Sequence, residues 1–398
     1  MKRSCFSLCR LSYVICSLLL LSACSHDGEN PAPNEDMEIT SIYPEAAGGG
    51  DTIKIYGKHL TTGIKTHISA SLNGENVAIL SVSPDSLQAV VPEMAGSGQL
   101  VVTVNGQSFQ KPFTYHYVAT VTTIAGSGED GRDDGVGTAA TFNCPWGITV
   151  DSSNGTLYVA DVYNRLIRKV TRPGNVVTTI PISYEVDFSS PYNITVDQHS
   201  RQLYLTDFGN HVLRVEPDGT NVLIYQGPVH ALAGIALGPD QHLYVGNNID
   251  GTITRLDTSG SNATEFATGL WTPRNLVFDK GGNLWAGAYD IAKISPAGQV
   301  SFVPRDHQFA GWEIALDRRG NIYEANHFDN KLRMIEKSTG NLIEIAGSGN
   351  AEDVDGVGLN ASFNGPQGLT IDKAGNLYMT TYNYETSSGN KIRKITVR

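Results

Sequence analysis

The 398-residue sequence predicts an all-β protein, with an N-terminal β-sandwich followed by a six-bladed β-propeller. Three observations lead to this prediction. Apolar and polar residues alternate in short runs over residues 38–117, a period-two pattern typical of half-buried strands. A pattern of four apolar bursts then recurs six times over residues 118–398, at roughly forty residues per repeat. A twenty-two-residue loop also occurs twice, with thirteen identical positions.

The N-terminus predicts export and a lipid anchor. Basic residues accompany an apolar run that is too short to span a bilayer, and the run ends in "LSAC", Leu21 to Cys24. This ending resembles the bacterial lipobox, which implies cleavage before Cys24 and lipid on its sulfur; a plain secretory signal is the alternative. Residues 24–37 are polar and acidic and contain proline. We therefore expect a signal peptide over residues 1–23 and a flexible tether over residues 24–37.

Charge and cysteine content exclude several classes of function. Removal of residues 1–23 removes three basic residues and no acid, so the formal net charge changes from −11 to −14. An acidic chain of this kind repels phosphates, which argues against nucleic acid as a partner. Only Cys144 remains after Cys24, so a disulfide within the mature chain is excluded. Cys144 is expected to be a small buried residue.

Residues 38–117 contain several short strands without a helical period. The dipeptides Asn73-Gly74 and Asn105-Gly106 favour tight hairpins. The segment "SIYPEAAGGGDTIKIYGKHL" and the later "LNGENVAILSVSPDSLQAVVPEMAGSGQLVVTVN" resemble the IPT/TIG immunoglobulin-like domain. This resemblance implies an immunoglobulin-like sandwich that serves as a spacer or binding adaptor.

The six repeats begin with related innermost strands. These segments are "PWGITVD" at Pro145, "PYNITVD" at Pro191, "LAGIALG" at Leu232, "PRNLVFD" at Pro273, "GWEIALD" at Gly311 and "PQGLTID" at Pro366. Three further apolar bursts follow most of them, and one such unit cannot bury its faces alone. The pattern "P-x-G-I-x-V-D" followed by "LYVAD-xxNRLIRKV" resembles the NHL repeat, which implies a β-propeller over residues 118–398. Blade four is shortened and blade three lacks the proline.

The repeated loop predicts how the ring closes. The sixth unit has three strands before the chain ends, and residues 118–126 resemble the missing fourth strand. We expect residues 118–126 to pair with residues 391–397. The loop then makes the same crossing twice, from an outer strand to the next blade's inner strand, with Phe142 and Phe363 as apolar anchors between blades. Its acids allow a Ca²⁺ site as the alternative, although no complete ligand set is present; they are Asp130, Asp133, Asp134, Asp353 and Asp355.

The second position of each inner-strand pattern predicts the residues at the channel mouth. These positions hold Trp146, Tyr192, Ala233, Arg274, Trp312 and Gln367, and Glu313 stands beside Trp312 where other blades have glycine or asparagine. Aromatic faces suit the C–H faces of sugars, and arginine or glutamine can reach hydroxyl groups. The predicted ligand-binding residues are Trp146, Tyr192, Arg274, Trp312, Glu313 and Gln367. The alternative is that these side chains cap the ring and pack against each other.

A second column of polar residues ends the second strand of each blade. Its members are Asp161, Asp207, Asn247, Asn326 and the region around Tyr382 and Asn383. We expect these side chains to bind backbone amides in turns. The loops "HFDN" at His327 and "YNYETSSGN" at Tyr382 are more polar, and insertions of this kind often carry function.

The domain order resembles auxiliary nutrient-binding surface lipoproteins of Bacteroidetes polysaccharide-utilisation loci. This resemblance implies a lipid-anchored outer-membrane protein, exposed at the cell surface, that captures a glycan or another small nutrient, with a possible transporter complex as partner. The membrane contact would be the lipid anchor alone, and no cofactor is expected. A protein-interaction scaffold and a metal-dependent propeller hydrolase or lyase are the alternatives. Candidate polar residues for the latter are Asp161, Asp207, Glu313, Asn326 and His327, but no nucleophile–base motif is present.

Overall fold

The structure is a computed structural model that describes residues 37–61, 67–182, 190–228, 231–304 and 312–398. Regular structure in these residues consists of strands and two three-residue 3-10 turns, which confirms the predicted all-β class. Within the described residues, no helix is long and apolar enough to span a membrane. The predicted signal peptide, Cys24 and nearly all of the tether lie outside the described residues.

Two sheets form the N-terminal body. Its strands are β1 Glu38–Tyr43, β2 Ala46–Ala47, β3 Thr52–Lys58, β4 Ile68–Leu72, β5 Glu75–Asn76, β6 Ala78–Val82, β7 Ser86–Val90, β8 Gly98–Val104 and β9 Gln107–Tyr115. One sheet has the order β1-β3-β7-β6 and the other β2-β9-β8-β4-β5. Alternate residues of β3, among them Ile53 and Ile55, point into an apolar core that also contains Leu100 and Phe113. The period-two alternation of the sequence therefore marks the inward faces of these sheets.

Two predicted hairpin turns are present in this body. Asn73 and Gly74 join β4 to β5, and Asn105 and Gly106 join β8 to β9. All four residues have positive φ angles, between 49° and 89°. Two positive φ angles in a two-residue turn match the right-handed twist of the flanking strands, which is why Asn-Gly is favoured there.

Six sheets form the described part of the C-terminal body; four have four strands, and two have a fifth, two-residue outer strand. After β10 (Ala119–Ala125) and β11 (Gly135–Val136), sheet one has β12 Pro145–Val150, β13 Leu157–Asp161, β14 Leu166–Thr171 and β15 Val176–Ile180; sheet two has β16 Asn193–Val196, β17 Leu203–Thr206, β18 His211–Val215 and β19 Asn221–Gln226; and sheet three has β20 Leu232–Leu237, β21 His242–Asn247, β22 Thr252–Asp257 and β23 Thr264–Ala267. The first 3-10 turn, Gly137–Ala139, lies between β11 and β12.

The remaining sheets follow the same antiparallel order. Sheet four has β24 Asn275–Phe278, β25 Leu284–Gly287, β26 Ala292–Ile294 and β27 Val300–Phe302; sheet five has β28 Glu313–Leu316, β29 Ile322–Asn326, β30 Lys331–Ile335 and β31 Leu342–Ala346; and, after β32 (Gly356–Val357) and the second 3-10 turn (Gly358–Asn360), sheet six has β33 Pro366–Ile371, β34 Asn376–Asn383 and β35 Ser388–Val397. The strands of sheet four have only three or four residues, in agreement with its shortened sequence.

The first strands of the six sheets contact one another in sequence around one axis. Strand β12 contacts β16, β16 contacts β20, β20 contacts β24, β24 contacts β28, and β28 contacts β33, which contacts β12 again. The arrangement is propeller-like, with the first strand of each sheet at the centre. Sheet six takes its fourth strand from the start of this body, because β10 pairs with β35 and places Ala119 opposite Val397 and Thr123 opposite Arg393.

The two copies of the repeated loop make equivalent crossings. Each leaves an outer strand, adds a two-residue strand to the outer edge of the next sheet and enters that sheet's first strand: β11 pairs with β15, and β32 pairs with β10. Phe142 and Phe363 are fully buried. Phe142 packs with residues of sheets six and one, and Phe363 packs with residues of sheets five and six, as expected for anchors between sheets.

The acids of these loops bind two buried arginines. Arg168 forms ion pairs with Asp134 and Asp161, both at 3.0 Å. Arg393 pairs with Asp353 at 2.7 Å and with Asp355 at 2.9 Å. Three of the five acids considered as Ca²⁺ ligands, Asp134, Asp353 and Asp355, are therefore bound to guanidinium groups in this structure. Among the described residues, no group of three His, Cys, Asp or Glu side chains is placed to hold a metal ion.

Polar contacts attach the N-terminal body to one end of the ring. Glu336 Oε1 accepts hydrogen bonds from the Ser97 backbone N–H at 2.8 Å and from the Tyr117 hydroxyl at 2.7 Å. Arg319 forms an ion pair with Glu75 at 3.3 Å. Since Arg319 and Glu336 lie in or beside turns at the far end of the first strands, the N-terminal body leaves the end at which those strands begin uncovered.

Candidate functional site

The predicted site residues lie together at one end of the ring. The chain runs up and down within each sheet, so the first strands begin at the same end at which the second and third strands are joined. We call this end the mouth face. The six predicted residues lie there and are called the mouth cluster: Trp146, Tyr192, Arg274, Trp312, Glu313 and Gln367.

Aromatic rings stack across the centre of the mouth face. The rings of Trp146 and Trp312 are 6.1 Å apart with an interplanar angle of 18°. Tyr192 stacks on Trp146 at 4.9 Å, and Tyr384 packs against Trp146 at 5.7 Å. Trp146 and Trp312 come from sheets one and five, which are separated by sheet six. The stack therefore closes the axial channel at this end.

A charged pair lies within this aromatic cluster. The guanidinium carbon of Arg274 is 4.0 Å from the centre of the Trp312 ring, a cation–π contact. Asn275 Nδ2 donates a hydrogen bond of 2.8 Å to Glu313 Oε2. Burial raises the pKa of Glu313 well above its ordinary value, although the Asn275 hydrogen bond, the Arg274 charge and Trp146 all act to lower it.

Gln367 connects the cluster to two neighbouring loops. Its Nε2 donates to the backbone oxygen of Tyr382 and to His327 Nδ1, both at 2.9 Å. The His327 ring in turn stacks on Trp312 at 5.5 Å. Burial lowers the pKa of His327, which favours the neutral ring that can accept this hydrogen bond. The "HFDN" and "YNYETSSGN" loops therefore border the mouth cluster.

Five residues of the mouth cluster have a buried polar atom without a hydrogen-bond partner among the described residues. These atoms are the donors Trp146 Nε1, Trp312 Nε1 and Arg274 Nε and the acceptors Glu313 Oε1 and Gln367 Oε1. The Trp146 N–H is nevertheless close enough to the Glu313 carboxyl group to lower its pKa, so these two groups partly satisfy each other. A buried polar atom without a partner costs about 1–3 kcal/mol. A molecule that carries both donors and acceptors could satisfy these groups.

The mouth cluster is closed to solvent over much of its surface. Trp146, Tyr192, Glu313 and Gln367 are at most 6% exposed, whereas Arg274 and Trp312 are half-buried. In this conformation, four of the six side chains therefore fit the alternative prediction, in which they cap the ring and pack against each other. The accessible rings belong to residues that the sequence reasoning missed: Phe208, Phe328 and Tyr384 are 42–48% exposed, and they contact Tyr192, Trp312 and Trp146 respectively.

The polar side chains that end the second strands bind backbone amides of the following turns, as predicted, and these turns carry the exposed rings. Asp207 Oδ1 accepts from the backbone N–H of Gly209 at 2.8 Å, and Asn326 Oδ1 accepts from that of Phe328 at 3.0 Å. Asn247 and Asn383 bind turn amides in the same way. A signal was available in the sequence, because a large apolar residue follows the column by one or two positions in each repeat.

The axial channel contains a cavity of about 380 Å³ lined by the first strands. Ser152, Gln198, Phe278, Leu316 and Ile371 line both this cavity and a second one of about 1110 Å³ beside the N-terminal body. The channel is thus accessible from the end opposite the mouth face. The aromatic packing at the other end agrees with the alternative prediction that the mouth side chains cap the ring.

The other residues considered for catalysis contact neighbouring side chains or backbone groups. Asp161 accepts from the Asn143 backbone N–H at 2.7 Å and pairs with Arg168, and burial raises its pKa to about 6. Asp207 binds His211 as well as its turn. Cys144 is buried, as expected, and burial raises the pKa of its thiol to about 12.

Comparison with known families identifies two modules in the chain. Residues 37–117 match the IPT/TIG domain, and residues 142–169 match the NHL repeat. NHL repeat-containing protein 2 of Bos taurus is 23% identical over 288 residues, which are 63% of this chain and 39% of that protein. The chain therefore spans about two fifths of the length of this curated relative.

Solved structures with the same architecture come from Bacteroides. A protein of unknown function from Bacteroides thetaiotaomicron is 20% identical, with a TM-score of 0.61 over 92% of this chain and 99% of that chain. An auxiliary nutrient binding protein from Bacteroides ovatus is 17% identical, with a TM-score of 0.56 over the same shares. Another auxiliary nutrient binding protein, from Bacteroides thetaiotaomicron, is 16% identical, with a TM-score of 0.55 over 92% and 98%. At these identities the likeness concerns the fold.

Proposed function

We propose that the protein captures a neutral glycan at the mouth face of a closed six-bladed β-propeller. The observation that carries this proposal is the set of unpartnered buried donors and acceptors among stacked aromatic rings. Sugars present hydroxyl groups that both donate and accept hydrogen bonds, and their C–H faces pack on aromatic rings.

The charges in the mouth cluster favour a neutral ligand. Arg274 already occupies the face of Trp312, so a cationic ligand would meet both a like charge and a filled aromatic face. Burial favours the protonated form of Glu313, so its carboxyl group offers a neutral donor and acceptor and adds no negative charge. A neutral polyhydroxylated ligand avoids the repulsion that a cation would meet at Arg274 and can hydrogen-bond to the arginine and to the carboxyl group.

Ligand entry requires a change in the aromatic stack. Trp146 is 2% exposed, whereas Trp312 and Arg274 are half-buried and Tyr384 is 42% exposed. The side chains of Trp312, Arg274 and Tyr384 are therefore the ones that move aside, and Trp146 and Tyr192 form the base of the site. We expect the exposed ring of Tyr384 to stack on the outermost sugar.

The rest of the chain suits presentation of this site at a cell surface. A lipid on Cys24 would hold the protein at the outer membrane, residues 24–37 would act as a tether, and the immunoglobulin-like domain would serve as a spacer. The N-terminal body binds the end of the ring opposite the mouth face, so this arrangement directs the mouth face away from the bilayer. The naming of two structural neighbours as auxiliary nutrient binding proteins supports the same assignment.

A glycan array tests the proposal. The full chain should retain neutral oligosaccharides, and Trp312→Ala should weaken retention about tenfold or more, because the substitution removes a stacking surface and an N–H donor. Tyr43→Ala is the matched control, since Tyr43 is a 71% exposed ring at the end of β1 in the N-terminal body. Absence of glycan retention, or equal retention by Trp312→Ala, would reject the proposal.

A further inference from the structure

An exposed apolar patch lies on the mouth face beside sheets three and four. Ile249 is 70% exposed, Trp271 is 65% exposed and Tyr289 is 40% exposed. Unlike Phe208, Phe328 and Tyr384, these three side chains make no ring contact with the mouth cluster among the described residues. We call them, together with Asp250 and Asp290, the Trp271 patch.

The backbone holds Trp271 next to the turn that contains Ile249 and Asp250. The Leu270 N–H donates to the Gly251 backbone oxygen at 3.0 Å, which joins the segment before Trp271 to the turn that contains Ile249 and Asp250. Gly251 has a φ of +64°, and a Cβ there would lie 2.0 Å from the Leu270 oxygen. The close approach of these two segments therefore requires glycine, and it makes the patch a fixed surface.

The chemistry of the patch is apolar and acidic. Asp250 directly follows Ile249 and Asp290 directly follows Tyr289, and neither carboxylate has an ion-pair partner among the described residues. Two buried polar atoms at the patch, Asn248 Oδ1 and Thr272 Oγ1, also have no hydrogen-bond partner within the described part of the chain. Exposed Trp, Tyr and Ile side chains beside unpaired hydrogen-bonding groups are typical of protein interfaces.

The charges argue against a second copy of this chain as the occupant. A symmetric dimer built on the patch would place its carboxylates opposite the same carboxylates, with no basic side chain in the patch to separate them. The rings of Trp271 and Tyr289 could also stack on a sugar, and glycan retention by Trp271→Ser distinguishes this occupant; the carboxylates and the aliphatic Ile249 favour a protein segment. Lysine or arginine next to aromatic or aliphatic side chains would complement the patch.

We propose that the Trp271 patch binds a basic, apolar-bearing segment of a partner protein. The ring of Trp271 and the side chain of Ile249 hold the partner's apolar side chains. Asp250 and Asp290 pair with its lysine or arginine residues, and Asn248 Oδ1 accepts a hydrogen bond from it. Glycan capture by the mouth cluster and protein binding by the patch use different residues of the same face, so each can fail without the other.

Selection from a phage-displayed library of random twelve-residue peptides against the full chain tests this inference. The enriched peptides should combine lysine or arginine with aromatic or aliphatic residues. Synthetic copies of them should bind Trp271→Ser at least tenfold more weakly than the unchanged protein. The double substitution Asp250→Asn with Asp290→Asn should weaken binding at least threefold at low salt and reduce its salt dependence. Tyr43→Ser, which alters an exposed ring in the N-terminal body, should leave peptide binding unchanged.

Three results would overturn the inference. They are enrichment of peptides without basic residues, equal binding by the unchanged protein and Trp271→Ser, and a concentration-dependent dimer that Trp271→Ser abolishes. Trp271 is largely exposed, so its substitution is expected to leave the fold intact, which thermal melting verifies. Glycan retention by Trp271→Ser should equal that of the unchanged protein, and this measurement separates the patch from the mouth cluster.

Discussion

Glu313 is a buried ionisable residue of the mouth cluster. It is 2% exposed, with one carboxyl oxygen bound to Asn275 and the other without a hydrogen-bond partner among the described residues. Desolvation disfavours the charged form, so the folded protein holds the proton more tightly than the unfolded chain does. The identity of the residue could be read from its position beside Trp312, whereas its burial depends on how five other sheets converge and could not.

Substitution Glu313→Gln should therefore stabilise the protein at alkaline pH. Above a pH of about 4.3, the ordinary pKa of glutamate, the unfolded chain releases the proton while the folded protein retains it, and the free energy of unfolding falls as the pH rises. Glutamine keeps the acceptor for Asn275 and does not titrate. We expect Glu313→Gln to melt roughly 1–3 °C above the unchanged protein near pH 8 and at the same temperature near pH 4. A lower melting temperature for Glu313→Gln near pH 8 would show that the ionised carboxylate is stabilising.

The ring closes through strand pairing and loop packing that the repeated loop in the sequence predicts. The recurrence of the loop predicted that β10 is the fourth strand of sheet six, because chain order alone left that sheet incomplete. The buried ion pairs that Arg168 and Arg393 form with aspartates, which we call the arginine clasp, were not predicted. An arginine on the third strand resembles a solvated residue in sequence, and its burial becomes evident only when the distant acids of the loop are folded over it.

Replacement of Arg393 by methionine should weaken this clasp. Arg393 is fully buried, and its removal leaves Asp353, whose side chain is 3% exposed, without its ion pair. Removal of one partner of a buried ion pair costs about 3–5 kcal/mol, which should lower the urea midpoint of the ring. Lys394→Met is the matched control, because Lys394 is half-buried and has no ion pair among the described residues. Equal midpoints for the two variants would contradict a role for the arginine clasp in closure.

At the scale of the whole molecule, the two ends of the ring have different tasks. The N-terminal body contacts one end through Glu336 and Arg319, near the open part of the channel. The mouth face is closed by stacked rings and surrounded by exposed aromatic side chains. Sequence periodicity predicted the sheets and the mouth residues, since both follow the repeat. Which end the N-terminal body covers depends on turns of sheet five that no repeat pattern distinguishes.

A crystal structure of the full chain with an oligosaccharide selected on the glycan array tests the central claim most directly. We predict a sugar ring packed against Trp312 or Tyr384, with a hydroxyl group within about 3.2 Å of Glu313 Oε1 or Gln367 Oε1. A sugar bound in the open end of the channel, or on the Trp271 patch with the aromatic stack undisturbed, would contradict the assignment of the mouth cluster as the glycan site.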